Sequence, residues 1–158
     1  MELKFKVAGR IARPVAEVFE AVVDPKQLSN YFTTGGAKGR LETGATVTWD
    51  FADFPGAFPV EIIEVEENRR IVLRWEANEG PPEDGETVSA AAYSTTVTML
   101  FEALEDGRTL VSIAEEGWRQ TEVGLKASYG NCQGWSQMLC AMKAWIEHDI
   151  NLREGMYK

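Results

Sequence analysis

The chain has 158 residues, of which 44% are hydrophobic and 26% charged, a composition typical of a globular protein with one sizeable core. The 16 Lys and Arg residues against 25 Asp and Glu residues give a net charge of −9. This charge disfavours binding to nucleic acid and to anionic membrane surfaces. We therefore expect a single domain over residues 1–158 that binds neither nucleic acid nor a membrane.

The N-terminal segment and the cysteines favour a reduced, cytoplasmic protein. Residues 1–14 alternate apolar and charged side chains and lack the apolar run of a secretory signal. No run approaches the roughly 18 apolar residues that a membrane-spanning helix needs. Cys132 and Cys140 fall in one predicted helix, where their Cα atoms would lie about 12 Å apart, too far for a disulfide. We predict that both cysteines are buried and unreactive.

Hydrophobic periodicity predicts a strand, two short helices, a run of strands and one long helix. Residues 3–11 alternate as a strand, Pro14 opens a helix that stops at Asp24-Pro25, and 26–32 predict further helical turns. Further strands are predicted at 38–41, 45–51, 60–67, 69–77, 95–104 and 108–118, with a turn at 52–59, a surface loop at 79–93 and a hairpin turn at 105–107. This order predicts an α+β fold in which an antiparallel sheet faces one dominant helix.

The rest of the chain, from about Glu122 to Leu152, predicts a long helix with irregularities at Gly130 and Gly134. Its apolar stripe comprises Trp135, Met138, Leu139, Met142, Ile146 and Ile150. The expected partner is the strand face that carries Trp49, Phe51, Leu73, Trp75, Val97, Met99 and Phe101. A stripe of this kind is by default close-packed core, and a ligand cavity between sheet and helix is the alternative.

Candidates for catalysis and metal binding are few. His148 is the only histidine and falls near the end of the long helix, where a surface position is expected. No second histidine exists to activate either cysteine, and one histidine with two cysteines does not support a zinc site. Phosphate-binding loop patterns are absent. We predict no catalytic residue, no metal site and no cofactor.

Polar strand residues could orient a ligand if they face inward. Arg74, Glu76 and Glu116 occupy strand positions that face either solvent or the interior, and the alternation does not decide which. Tyr31, near the expected mouth of a cavity, would either hydrogen-bond a ligand or cap the core.

Several motifs recur in a fixed order along the chain. They are Pro14, the Val18-Phe19 pair, the Asp24-Pro25 break, the Tyr31-Phe32 pair, Gly44, the strand at 95–104, the hairpin before 109–118, and Gly134-Trp135 with Leu139 and Lys143. In this order they resemble the START/Bet v 1-like superfamily, and within it the branch named for the activator of the Hsp90 ATPase. The resemblance implies a helix-grip fold: a curved antiparallel sheet around a long C-terminal helix, two short helices after the first strand, and a deep apolar cavity.

We therefore predict a small binding protein that holds an apolar or aromatic small molecule between sheet and helix. The predicted ligand-binding residues are Tyr31, Trp49, Phe51, Trp75, Met99, Trp135, Met138 and Met142. The branch name implies an alternative, a regulator of an Hsp90-type chaperone or another protein-interaction module. A cyclase- or dehydratase-like enzyme that uses the same cavity is a further alternative. We expect a monomer or a homodimer, with the acidic segment 79–93 altering the mouth of the cavity.

Overall fold

The computed structural model describes residues 1–80 and 92–158. The strands in these ranges are β1 (Lys4–Ile11), β2 (Gly36–Lys38), β3 (Thr46–Phe51), β4 (Phe54–Glu66), β5 (Arg70–Glu76), β6 (Ser94–Ala103) and β7 (Thr109–Glu116). The helices are α1 (Val15–Val23), α2 (Pro25–Leu28) and α3 (Glu122–His148). Most of the acidic segment expected to alter the cavity mouth falls on 81–91, outside the described residues.

The strands form one seven-stranded sheet in the order β1-β7-β6-β5-β4-β3-β2, and every neighbouring pair is antiparallel. The sheet is curved and unclosed, and α3 packs on the face that carries the buried strand residues. The two short helices follow β1 and pack into the same core. The predicted α+β helix-grip fold is confirmed.

The chain between β3 and β4 differs from the sequence prediction. Residues 52–59 were expected to form a turn, yet β4 begins at Phe54, and only Ala52 and Asp53 separate the two strands. The pairs Phe51↔Phe54 and Trp49↔Phe58 are joined through a register shift. Between these pairs β4 has two residues more than β3, which an irregular, bulged strand accommodates, and Gly56 takes a φ of 136°, which favours glycine. The prolines and glycine that suggested a turn therefore lie in an irregular strand.

Helix α3 runs without interruption through Gly130 and Gly134, so the expected irregularities are absent from it. It ends at His148 because Asp149 adopts a left-handed conformation with φ 56° and its N–H caps the Ala144 and Trp145 carbonyls. Ile150 lies beyond this end and is exposed, contrary to its place in the predicted stripe. Although α3 has 27 residues, neither it nor another helix in the described ranges is long and apolar enough to cross a membrane.

The cysteines lie on α3 in different surroundings. Both are free, Cys132 is half-buried and Cys140 is exposed. The prediction that both are buried is therefore wrong: Cys140 lies on the solvent side of the helix, off the apolar stripe, and Cys132 is only half-buried. His148 is exposed at the end of the helix, as predicted.

Candidate ligand-binding site

A cavity of about 620 Å³ lies at one end of the interface between the sheet and α3. Its walls come from the ends of β3, β4 and β5, from residues 130–137 of α3, and from the segment that follows α3. Ligand sites for small molecules commonly have volumes of about 300–1,000 Å³. The space is therefore large enough to enclose a small organic molecule.

Five aromatic side chains form a closed circuit around the cavity wall. The ring centroids are separated by 5.0 Å for Phe32 and Phe51, 5.7 Å for Phe51 and Phe58, and 5.9 Å for Phe58 and Trp75. Trp75 then lies 5.4 Å from Trp135, and Trp135 stacks 5.3 Å from Phe32. We refer to these five residues as the aromatic cluster. Such contacts hold each ring in place and give the wall a large apolar area.

Two glycines of α3 line the same space, Gly134 half-buried and Gly130 exposed at its rim. A Cβ atom added at either position would meet no heavy atom within 4 Å. Glycine in a helix interior costs about 1 kcal/mol relative to alanine. No neighbouring atom of the described residues would clash with a side chain at either position, so close packing does not explain these glycines. Both line the cavity, and the absence of a side chain adds to its volume.

Gly124, in the first turn of the same helix, has a different reason to be glycine. A Cβ atom there would lie 2.0 Å from the Arg119 carbonyl oxygen. Its N–H donates to Thr121 Oγ1 at 3.0 Å, which caps the helix. Close backbone approach explains this glycine, whereas open space surrounds the other two.

A buried carboxyl group lies behind the aromatic cluster. Glu115 on β7 is 1% exposed. Its Oε1 accepts from Trp135 Nε1 at 2.8 Å, and its Oε2 accepts from Trp75 Nε1 at 3.0 Å and from Thr95 Oγ1 at 2.6 Å. Asn131 Nδ2 lies 3.1 Å from both oxygens. The carboxyl group thus joins β5, β6, β7 and α3 directly beside the cavity.

Arg153, beyond the end of α3, closes the opposite side. Its guanidinium donates to both carboxylate oxygens of Asp53, at 3.1 Å and 3.0 Å, and the two side chains are only 11% and 10% exposed. The guanidinium carbon lies 4.6 Å from the centroid of Phe51 and 5.2 Å from that of Tyr157. Burial raises the pKa of Tyr157, with Asp53 acting in the same direction against Arg153. This ion pair fastens the chain after α3 to the β3–β4 connection.

The structure divides the predicted ligand-binding residues into two groups. Phe51, Trp75 and Trp135 line the cavity. The others lie in the closed core, 0–1% exposed, and are not part of the cavity wall: Tyr31, Trp49, Met99, Met138 and Met142. Trp49 packs edge-on against Phe32 and Trp75 and so supports the cluster from behind.

Tyr31 is fully buried, and its hydroxyl donates to the Ala21 carbonyl at 2.9 Å. Burial raises the pKa of this phenol. Of the two roles left open for this residue, the contacts are those of a core cap that ties α1 to the segment after α2.

The structure also shows which way the three strand residues of undecided direction point. Arg74 and Glu116 are exposed on the outer side of the sheet, and neither lines the cavity. Glu76 is exposed at the end of β5 and lines the cavity mouth. Within the described ranges, no three His, Cys, Asp or Glu side chains are grouped so as to hold a metal ion.

Several residues of the site were not predicted. Glu115 had a sequence signal, since strand alternation places it on the face of Val111 and Ile113, both buried. Phe58 was not recognised as a wall residue because its segment was interpreted as a turn rather than as part of β4. Arg153 and Tyr157 carried no pattern, because they follow the end of α3 and belong to no periodic element.

Comparison with known proteins gives one family match and several similar folds. The family model described as Activator of Hsp90 ATPase homolog 1-like protein matches residues 12–147. No curated protein matched the chain. A solved structure from Staphylococcus saprophyticus shares 26% identity and a TM-score of 0.74, with 97% of this chain and 96% of that chain covered.

Two further structures are similar in fold. DynU16, from the dynemicin biosynthetic locus, has 22% identity and a TM-score of 0.74 over 94% of this chain, which spans only 49% of DynU16. The Aha1 dimer from Colwellia psychrerythraea has 15% identity and a TM-score of 0.68, with 92% of this chain and 96% of that chain covered.

Proposed function

The chain belongs to the family of Activator of Hsp90 ATPase homolog 1-like proteins, and from this premise we propose that it is a small binding protein for a flat, largely apolar aromatic molecule. The ligand occupies the cavity between the aromatic cluster and α3. Phe51, Trp75 and Trp135, expected from the sequence, supply contact area together with Phe32 and Phe58.

The observation that carries this proposal is the open space in front of Gly130 and Gly134. Side chains at these positions would fill part of the cavity, and alanine at either would favour the helix by about 1 kcal/mol. Sites that forgo available stability are commonly functional sites. The helix therefore keeps a 620 Å³ cavity open beside the aromatic cluster at the expense of its own stability.

Binding is better supported than chemistry. The titratable side chains that line the cavity within the described residues are Glu76, Arg153 and Tyr157. Arg153 is engaged by Asp53, and Glu76 lies at the exposed rim. Both oxygens of Glu115 already accept hydrogen bonds. An enzyme of the cyclase or dehydratase kind would have to use Glu76, Tyr157 or a bound water as acid or base.

The experiment compares Gly134→Phe with Gly134→Ala. A phenyl group at position 134 would occupy the space of the ligand. A methyl group also removes the unfavourable helix propensity of glycine but leaves most of the cavity volume open. The neutral dye N-phenylnaphthylamine is titrated into each protein and its emission is followed. We expect saturable binding to the wild type, similar binding to Gly134→Ala, and at least roughly tenfold weaker binding to Gly134→Phe.

Urea unfolding of each variant is the control for folding. Equal dye affinity in a folded Gly134→Phe protein would show that the dye binds elsewhere. Absence of dye binding to the wild type, with a panel of neutral aromatic compounds that leave its melting temperature unchanged, would contradict the proposal itself.

The family description makes chaperone regulation the alternative function. That role would use an outer surface, so Gly134→Phe, which fills space in the cavity, separates it from ligand binding. We expect the wild-type chain to leave the ATPase rate of an Hsp90-type chaperone unchanged. Equal stimulation by the wild type and by Gly134→Phe would establish regulation that does not depend on the cavity.

A further inference from the structure

Glu115 is the most unusual polar residue in the described interior. Its side chain is almost completely buried, and its partners are the neutral side chains of Trp75, Thr95, Asn131 and Trp135. Burying a carboxyl group is costly unless its oxygens are hydrogen-bonded. Here both oxygens are fully engaged, so the group is held in place without a cationic partner among these four.

Three of its four partners belong to the cavity wall. Trp75, Asn131 and Trp135 line the cavity, and all three donate to Glu115. The two tryptophans come from different elements, β5 and α3, yet their Nε1 atoms converge on one carboxyl group. Rotation of either indole about its side-chain torsions would break its hydrogen bond to the buried carboxyl group. The carboxyl group therefore fixes the orientation of both rings.

The same contacts decide what the wall offers to a ligand. An indole has a single polar hydrogen, on Nε1, and in both tryptophans that hydrogen is directed to Glu115. Asn131 likewise directs its amide nitrogen to Glu115. At the two tryptophans the wall therefore offers a ligand aromatic carbon and no donor, while polar side chains line other parts of the cavity, among them Gln133 and Gln137.

We propose that Glu115 is a positioning residue that sets the aromatic wall of the cavity and selects for ligands with a flat face that lacks hydrogen-bond acceptors at the tryptophans. This inference rests on the proposed function for the ligand, whereas the orientation of the indoles can be tested without one. It concerns a residue that touches the ligand only through Trp75 and Trp135. Both oxygens are saturated by donors, which suits positioning rather than proton transfer.

The test uses the indole N–H signals of the chain's tryptophans in a ¹H–¹⁵N NMR spectrum. Trp75 and Trp135 donate to a carboxyl group, whereas the buried Nε1 atoms of Trp49 and Trp118 have no partner among the described residues. In the wild type, we expect the signals of Trp75 and Trp135 downfield of those of Trp49 and Trp118. The reverse order would overturn the proposal before any substitution is made.

The substitution is Glu115→Gln, with Glu116→Gln as the matched control at the next, exposed position. A carboxamide has one acceptor oxygen, so it cannot accept from both indoles on separate oxygens. We expect the Trp75 or Trp135 signal to move upfield more than the other indole signals, and N-phenylnaphthylamine to bind about fivefold more weakly. Glu116→Gln should change neither.

A folded Glu115→Gln protein with unmoved indole signals and wild-type affinity would contradict the proposal, as would an equal loss in the control. Trp135→Phe covers the case in which Glu115→Gln does not fold, because it removes one donor and keeps an aromatic ring. We expect Trp135→Phe to weaken dye binding and to leave the Trp75 signal in place; unchanged affinity would count against positioning. If the wild type binds no dye, the proposed function fails, while the signal order still decides the orientation of the indoles.

Discussion

Single residues in this core have roles that their contacts define. Tyr31 is an aromatic residue near the aromatic cluster, yet its hydroxyl donates to the Ala21 carbonyl and its ring is fully buried away from the cavity. This hydroxyl group stabilises the folded state, because its hydrogen bond joins α1 to the segment that leads to β2. Ligand affinity should therefore be independent of this hydroxyl group.

Replacement of Tyr31 by Phe tests this assignment. We expect Tyr31→Phe to lower the free energy of unfolding by about 1 kcal/mol at neutral pH, from the lost hydrogen bond, and to leave N-phenylnaphthylamine affinity unchanged. Urea unfolding and dye titration measure the two effects. Tyr129→Phe, at a site 66% exposed, is the control and should change neither.

The pH dependence of Tyr31→Phe has a defined sign. Because burial raises the pKa of Tyr31 in the folded state, its contribution to stability is complete below the ordinary tyrosine pKa of about 10 and is lost as the pH rises towards the folded value. The wild type should therefore lose more stability than Tyr31→Phe above pH 10. A stability advantage of the wild type over Tyr31→Phe that stays constant or increases above pH 10 would contradict this account of the buried phenol.

Residue-level prediction from sequence succeeded where burial follows alternation and failed where it depends on distant partners. The pattern of β7 places Glu115 inward, but not the two indoles that it binds, because these come from strands and helices far along the chain. Phe51, Trp75 and Trp135 were foreseeable as large apolar residues on facing elements. Nothing local distinguishes them from Trp49, which faces the same way and is sealed inside.

At the level of elements, α3 combines a core helix and a cavity wall. Its buried residues Met138 and Met142 pack against the sheet, while the turn before them presents Gly130 and Gly134 to the cavity. The glycine nearest its start, Gly124, is required by the approach of the Arg119 carbonyl. One helix thus contains glycines of two kinds.

Alanine substitutions distinguish these two kinds by opposite effects. We expect Gly134→Ala to raise the free energy of unfolding by up to about 1 kcal/mol, since the new methyl group enters open space in a helix. Gly124→Ala should lower it by roughly 2 kcal/mol or more, because its Cβ atom would lie 2.0 Å from a backbone oxygen.

Urea unfolding of both variants provides the comparison, with Cys140→Ala as a control for alanine on an exposed face of the same helix. A destabilised Gly134→Ala protein would mean that the space in front of Gly134 is filled in solution. A Gly124→Ala protein as stable as the wild type would mean that the start of α3 adjusts to admit a side chain.

Element boundaries show the limit of periodicity. The stripe of α3 was predicted because its apolar residues repeat every three or four positions. The end of the helix at His148 was not predicted, because Asp149 adopts the left-handed conformation there, whereas glycine is the usual residue that marks such an end. The chain beyond then returns to the sheet through Arg153 and Asp53, a contact between positions 100 residues apart.

For the whole molecule, the cavity follows from the way a curved sheet meets one long helix. Contact is close along the part of the interface that holds Met99, Met138 and Met142, and the two layers separate towards the ends of β3–β5. Sequence periodicity predicts which faces meet, but not where along the helix they part. This is why five of the predicted ligand-binding residues lie in the closed core while three line the cavity.

The remaining predictions for the whole chain are a single domain over residues 1–158 and a monomeric or homodimeric state. The family match spans 12–147, and the similar structure from Colwellia psychrerythraea is described as a dimer. Sedimentation velocity would measure the oligomeric state of this chain directly.

The most direct measurement of the central claim is a ¹H–¹⁵N NMR titration of the wild type with N-phenylnaphthylamine, followed through the tryptophan indole signals. Trp75 and Trp135 line the cavity, whereas Trp118 stacks on Phe5 of β1 and is not part of its wall. We predict saturable shifts of the Trp75 and Trp135 signals with the Trp118 signal unmoved. Saturable dye binding that leaves the Trp75 and Trp135 signals in place would show that this cavity is not the ligand site.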